Sequence, residues 1–132
     1  MHIIPIKGAT QFTINLDPTV WIFDKRKIDL THYIQTGEVK QVPEREVSGS
    51  YAIPFEPFLN NAEPLEEAKW VVCHLKDGKT VQLSLDEAKK AYLAFAHEGK
   101  LIQDGGPIHL HYGIGKHTAP PIKNIAYFEV KA

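Results

Sequence analysis

Alternation of apolar and polar positions predicts extended structure near the start of the chain. In the segment QFTINLD, Phe12, Ile14 and Leu16 alternate with polar residues, which is typical of a strand with one buried face. Asp17 and Pro18 end this strand, and the following segment TVWIFD resumes an extended apolar run. The polar segment DKRK then supplies a turn, so the first third of the chain is predicted to form a hairpin.

Helical spacing predicts one principal helix in the segment SLDEAKKAYLAFAHEGK. Ser84 and Glu87 have the S-x-x-E spacing of a capping box, and apolar residues follow on one helical face. Gly99 suits the position just after a helix, and His97 lies in the predicted last turn, where positive charge complements the helix dipole. The pattern therefore predicts a helix that extends to residue 98.

Turn and capping residues define three further elements. Asp29 as an N-cap and Gly37 as a stop predict a short helix between them. Two β-rich runs flank Asp77 and Gly78, and a DG pair in that position is a strong hairpin signal. The β-rich segment NIAYFEV predicts the last strand, over residues 124–130.

Prolines shape the segment between residues 38 and 64. It contains Pro43, Pro54, Pro57 and Pro64, a density that argues against a long helix or a central strand. Its YAIPFEPFLNN stretch is too apolar for a solvated tether. We therefore predict an irregular segment that packs on the core.

These elements together predict an α+β fold with a mostly antiparallel sheet and one principal helix. With 132 residues, 43% hydrophobic and 23% charged, the chain has the size and composition of one compact domain, residues 1–132.

Charge and cysteine content restrict the partners and the compartment. A formal net charge of −1 provides no field for attracting nucleic acid or an anionic membrane, so neither is an expected partner. Cys73 is the single cysteine, which excludes an internal disulfide and fits a reducing compartment. The N-terminal segment MHIIPIKGATQF has only a short apolar patch interrupted by Pro5, and no stretch is long enough to span a bilayer. We expect a cytoplasmic protein.

The order of motifs from Trp70 to Val130 resembles the sulfite-oxidase-like domain family, the oxidoreductase molybdopterin-binding domain. The matching features are the Asp77-Gly78 turn, the acidic start of the following helix, the GGPIHLHYG strand and the PPIKNIAYFEV approach to the last strand. The segment SGSYAIPFEPFL is similar to the WxGVxLxxLL segment of that family. The resemblance implies the sulfite-oxidase-like molybdopterin-binding fold.

Three departures from that family bear on its chemistry. Family enzymes hold molybdenum through a cysteine upstream of the WxG segment, where this chain has EVKQVPEREVSG. Cys73 falls in a strand instead, where we interpret it as a packing residue. His109 replaces the arginine of the family's strand, and a largely neutral imidazole is a weaker partner for phosphate than a guanidinium. The chain is also shorter than the usual enzymatic domain.

The histidines of GGPIHLHYGIGKH allow two interpretations. In a strand, His109 and His111 project to one face, and His117 is placed to turn back toward them, so three imidazoles would bind a divalent metal together with His74, Asp104 or water. The alternative is a sheet face whose histidines are partly exposed or hydrogen bonded. H-x-H in a strand is common, so the second interpretation has more weight.

The glycine-rich end of this segment also admits a binding role. In GIGKH, glycines permit exposed backbone N–H groups and Lys116 adds charge, although a plain connection between strands explains the same residues. We therefore predict no bound metal and a small anionic ligand, held by five side chains: His109, His111, Lys116, His117 and Lys123.

Three classes of function follow. The favoured one is a non-catalytic binding or interaction protein on a reduced molybdopterin-binding fold, with no cofactor. The second is a molybdopterin-dependent oxidoreductase with atypical ligation, and the third is a small histidine-based metal-binding protein. Ser48 and Ser50 lack the G-x-S-x-G context of a nucleophile elbow, so the sequence predicts no catalytic residues.

Overall fold

The protein is described by a computed structural model that covers residues 2–132. Strands and short helices alternate along this part of the chain. In chain order the elements are β1 (Ile4–Gly8), β2 (Ile14–Leu16), a 3-10 helix (Pro18–Phe23), β3 (Ile28–Asp29), α1 (Leu30–Thr36), β4 (Tyr51–Pro54), α2 (Glu56–Ala62), β5 (Trp70–Leu75), β6 (Thr80–Ser84), α3 (Leu85–Lys90), β7 (Tyr92–His97), β8 (Lys100–Leu101), β9 (His109–His111) and β10 (Ile125–Lys131).

Two sheets form the framework. The first sheet has the strand order β2-β1-β10-β5-β6, and it is mixed because β1 runs parallel to β10, with Ile6 beside Phe128. The second sheet has the order β3-β4-β7-β8, with β9 also paired to β7, and its pairs are antiparallel. The predicted α+β class with mostly antiparallel pairing is confirmed.

The main core lies between the two sheets. Phe128 of the first sheet packs against Phe55, with ring centroids 4.6 Å apart, and Leu93 and Phe95 of β7 belong to the same buried cluster. A smaller cluster, which we call the outer cluster, lies on the other face of the second sheet beneath α1. It consists of Ile28, Leu30, Tyr33, Ala52 and Ala94, with Tyr92 and Ile102 packed against it.

The elements with strong local signals form as predicted. Asp29 caps α1 by accepting a hydrogen bond from the N–H of His32, and Gly37 ends the helix with a φ of 73°. β5 and β6 pair as an antiparallel hairpin around Asp77 and Gly78. The final strand is β10.

The predicted principal helix is wrong beyond its first turns. Its capping box exists, but α3 ends at Lys90 and, after Ala91, the six residues 92–97 form β7. β7 lies inside the second sheet and is buried on both faces, with Leu93 toward the main core and Ala94 toward the outer cluster. A strand buried on both faces loses the alternation that distinguishes it from a helix, which explains the error. Gly99, with a φ of 80°, belongs to the turn into β8.

The predicted extended run of residues 19–24 is also wrong. It forms a 3-10 helix because Asp17 accepts a hydrogen bond from the N–H of Thr19 and Pro18 occupies the first helical position. The hairpin at the start of the chain instead joins β1 and β2, with Ile6 beside Ile14.

The proline-rich segment is more regular than predicted. It contains β4, which lies between β3 and β7 in the second sheet, and α2, which has Pro57 in its first turn. Pro54 is the last residue of β4, where a missing N–H is tolerated. The predicted packing on the core is confirmed, since Ile53, Phe55 and Leu59 are completely buried. No helix within residues 2–132 has the length and apolar character needed to cross a membrane.

Candidate functional site

Strand β9 places two histidines on the outer face of the second sheet. His109 lies beside Ala94 and His111 lies beside Tyr92 in the antiparallel pairing with β7. Leu110, between them, points into the main core and is completely buried. The strand geometry therefore gives both imidazoles the same face, as the period-two pattern predicts.

The His109 ring is held in one tautomer. Its Nε2 atom lies 2.9 Å from the carbonyl oxygen of Asp104, and a carbonyl only accepts, so the proton is on Nε2 and Nδ1 is an acceptor. Burial lowers the pKa of His109, the hydrogen bond to Asp104 opposes this effect, and the charge of Lys123 adds to it. The imidazole is therefore mainly neutral at pH 7.

Gly105 allows the Lys123 side chain to lie beside His109. A Cβ atom at Gly105 would be 3.0 Å from Lys123 Cβ and 3.3 Å from His109 Nε2, and the backbone there has a φ of 71°. The carbonyl of Gly105 also accepts a hydrogen bond of 2.8 Å from the N–H of Asn124. Glycine therefore permits the close approach of residues 104–105 to the segment before β10.

A cavity of about 420 Å³ opens next to this pair. Part of its wall is apolar, from Leu30 of α1, Ala96 of β7 and Ile102. The remaining lining is mostly polar and comes from the β7–β8 turn and the segment around β9: His97, Glu98, Lys100, Leu101, Gln103, Asp104, His109 and Lys123. Its two lysines and two carboxylates balance, which suits a ligand of low charge.

His111 lies deeper than His109. It is 6% exposed, and its Nδ1 atom has no hydrogen-bond partner in the described part of the chain. Burial, followed by the charges of His109 and Lys123, lowers the pKa of His111 to about 4. This imidazole is neutral at pH 7 and does not act as a cation there.

The other two predicted site residues lie elsewhere. The His117 ring packs on Gly37 at the end of α1, with its centroid 5.9 Å from that of Tyr33. Lys116 forms a salt bridge of 3.1 Å with Glu87 of α3. The five predicted side chains therefore form one pair at the cavity, one buried histidine and two separate contacts. Residues 2–132 contain no group of three or more His, Cys, Asp or Glu side chains placed to hold a metal ion.

The sequence did not reveal the contribution of the β7–β8 turn. His97 and Glu98 line the cavity. Because both residues were predicted to lie in a helix, the sequence did not place them at the turn between two paired strands. Ser50 Oγ lies 3.5 Å from His97 Nδ1 and accepts a hydrogen bond of 3.1 Å from the N–H of Glu98. His97 and Glu98 are largely exposed, and His97 Nε2 is 4.0 Å from Glu98 Oε2. These long contacts close the turn and do not form a nucleophile with a base.

Cys73 does not fit the role of a metal ligand. Its side chain is completely buried in β5 and belongs to the main core. Burial raises the pKa of its thiol to about 12, so the thiolate that binds metals does not form near neutral pH. The residues present therefore do not fit a molybdenum centre with a protein thiolate. The interpretation of Cys73 as a packing residue is confirmed.

The fold has a counterpart among solved structures. The chain is similar to a chain of the sulfane dehydrogenase SoxCD from Paracoccus pantotrophus, with a TM-score of 0.60 and 13% sequence identity. The match covers 98% of this chain and 38% of that one, so the protein spans well under half the length of its structural neighbour. At this identity the likeness shows the fold alone. No family model matches the chain, and no curated protein matches it at a significant level.

Proposed function

We propose that this protein is a non-catalytic binding protein that holds a small, singly charged anion in the cavity beside His109 and Lys123. The observation that carries the proposal is that Lys123 lines the same cavity as the apolar residues Leu30, Ala96 and Ile102. A concave, partly apolar site with few polar groups is typical of small-molecule binding.

The polar groups favour a ligand with both an acidic group and a hydrogen-bond donor. Lys123 offers positive charge to a carboxylate or phosphate oxygen. The neutral His109 has its Nδ1 as an acceptor, because Nε2 donates to the Asp104 carbonyl. A hydroxy acid or an amino-bearing anion therefore matches the site better than a simple carboxylate. The carboxylates of Glu98 and Asp104 in the lining disfavour a polyanion.

We propose that the framework of this site is a shortened version of the sulfite-oxidase-like domain. The order of motifs from Trp70 to Val130 and the likeness to SoxCD support this assignment. The buried Cys73 supports a chain that works without molybdopterin.

The proposal is tested by titrating the protein at pH 7.5 with lactate, propionate and inorganic phosphate, followed by amide NMR shifts. We expect shifts at residues 96–105, 109 and 123, and tighter binding of lactate than of propionate. Lys123→Met keeps the aliphatic stem and should weaken lactate binding at least tenfold, by roughly 1.4 kcal/mol. Lys79→Met, in the β5–β6 turn, is the matched control and should bind as the native protein does. Equal binding by both variants, or shifts elsewhere, would contradict the proposal.

A molybdopterin-dependent oxidoreductase is the second candidate, and the likeness to a sulfane dehydrogenase is the observation in its favour. Elemental analysis and a pterin-oxidation fluorescence assay on freshly purified native protein distinguish the two functions. We expect no stoichiometric molybdenum or pterin. Close to one molybdenum per chain together with redox turnover would replace the binding function by the enzymatic one.

A further inference from the structure

His111 is a buried ionisable group without a hydrogen-bond partner at Nδ1 within residues 2–132. It is 6% exposed and lies on the outer face of β9. A buried imidazole that lacks an acceptor for a second proton is stable only in its neutral form. Any movement that exposes it to water therefore makes protonation easier.

The surroundings of His111 oppose a positive charge on it. The titratable groups around His111 are Tyr92, opposite it in the strand pair, and the nearby His109 and Lys123, with Tyr33 and His117 one contact further out at α1. None of these groups is a carboxylate. Burial is the largest cause of the lowered pKa of His111, and the two basic neighbours add to it.

Helix α1 lies against the outer face of the second sheet, with Tyr33 packed on Tyr92. It has seven residues, and the outer cluster beneath it is much smaller than the main core. Its connections to the rest of the chain include the Tyr33 hydroxyl, which donates to the Tyr112 carbonyl at 2.6 Å, and the Leu30 N–H, which donates to the Ser50 carbonyl at 3.0 Å. Elements with few buried apolar contacts open locally at a lower free energy than the core.

The same helix forms part of the proposed binding site, because Leu30 lines the cavity beside His109. Opening of α1 removes this apolar wall together with Tyr33, which packs on Tyr92 opposite His111. The integrity of the cavity wall and protonation of His111 are therefore linked through one element.

We propose that α1 is a proton-sensitive lid, which completes the apolar wall of the cavity while His111 is neutral and is released when His111 takes up a proton. The effect on ligand binding rests on the proposed function, whereas the movement of α1 does not. His109 acts in the same direction because burial also lowers its pKa. The closed state is fully stabilised above pH 6.5, the ordinary pKa of histidine, and this stabilisation is lost as the pH falls toward 4.

The thermodynamic linkage between protonation of His111 and opening of α1 sets the size of the pH effect. A histidine that titrates at its ordinary pKa of 6.5 when exposed and at about 4 when buried raises the opening equilibrium roughly 30-fold between pH 7.5 and pH 5. The reason is that each pH unit below 6.5 favours the protonated, open state about tenfold until the buried group also titrates.

Hydrogen exchange on the ligand-free native protein tests the lid. After correction for the intrinsic pH dependence of exchange, we expect the protection of α1 to fall roughly 30-fold between pH 7.5 and pH 5. Trp70–Leu75 in β5 should keep its protection over the same range. His111→Phe removes the ionisable group and should lose most of this pH dependence. His32→Gln, which removes a partly exposed histidine of α1 itself, is the matched control and should behave as the native protein does.

An NMR titration of the native imidazoles provides a second measurement that requires no variant to fold. A His111 resonance that titrates well below pH 6.5 supports the lid, and one that titrates near 6.5 overturns it. Equal pH dependence of α1 protection in native protein and in His111→Phe also overturns it, as does a simultaneous loss of protection in α1 and β5. Lactate binding at pH 7.5, where the lid is closed, separately decides the proposed function.

Discussion

The ammonium group of Lys27 lies over the ring of Tyr51, with Nζ 4.7 Å from the ring centroid, although the Lys27 side chain is completely buried. Nζ also donates hydrogen bonds to the carbonyl oxygens of Ile22, Glu44 and Glu46. One lysine therefore joins the end of the 3-10 helix to the segment after α1. The charge is satisfied by three carbonyl dipoles and an aromatic face.

Lys27→Met should lower the free energy of unfolding by about 3 kcal/mol, because the variant leaves three carbonyl acceptors without their donor while it keeps the aliphatic bulk. Urea denaturation measures the change. Lys25→Met, which alters an exposed lysine two residues earlier, should stay within about 0.5 kcal/mol of the native protein. Similar stabilities for the two variants would show that the buried ammonium is not a significant connection.

Gly37 has a φ of 73°, and a Cβ atom there would lie 2.7 Å from Cε1 of His117. Gly37→Ala should therefore combine the cost of left-handed backbone, about 1–2 kcal/mol, with a steric clash. Gly78→Ala, at a φ of 91° with no atom within 4 Å of the new Cβ, should carry the backbone cost alone.

Thermal unfolding of a double-variant cycle isolates that clash. In a His117→Ala background, the cost of Gly37→Ala should fall to that of Gly78→Ala, because the ring that meets the new methyl group is absent. The packing of His117 on α1 is refuted if the cost of Gly37→Ala is the same in both backgrounds.

Ser84→Ala should destabilise the protein by about 1 kcal/mol, since Ser84 Oγ accepts a hydrogen bond of 3.0 Å from the N–H of Glu87 at the start of α3. Ser48→Ala, at an exposed position outside any helix, is the control and should have a much smaller effect. Chemical denaturation monitored by tryptophan fluorescence measures both. An unchanged midpoint for Ser84→Ala would mean that the capping box does not support the helix.

Cys73 should react slowly with a thiol reagent in the native protein at pH 7 to 9, because it is completely buried and its thiol pKa is raised to about 12. The urea-unfolded protein should react fast and serves as the control. Cys73→Ala should lower stability by about 1 kcal/mol through the small cavity it leaves. Fast labelling of the folded protein would contradict the packing role.

Local signals in the sequence predicted the elements whose geometry depends on neighbouring residues. The Asp77-Gly78 hairpin needs only a turn with the right backbone freedom, and α1 needs a capping aspartate and a terminal glycine. The α+β class follows from the same signals. These features are specified within a few residues, so the tertiary structure did not change them.

The position of β7 was decided by the tertiary structure. Residues 92–97 suit a helix when read alone, but in the fold they are the strand to which β4, β8 and β9 pair. Pairing with several strands satisfies the backbone hydrogen bonds, and burial on both faces removes the apolar stripe that marks a surface helix or strand. Long-range pairing therefore overrode local propensity in this segment.

In the candidate site, too, some features follow from local sequence and others depend on tertiary contacts. Period-two spacing was sufficient to place His109 and His111 on one face of a strand. Which of the five candidate side chains meet was decided by chain segments far apart in sequence: Lys123 reaches His109 across Gly105, while His117 packs on α1 and Lys116 pairs with Glu87. Sequence determines the direction of a side chain within its own element, but the contacts between elements depend on how the two sheets and α1 pack, which no local pattern encodes.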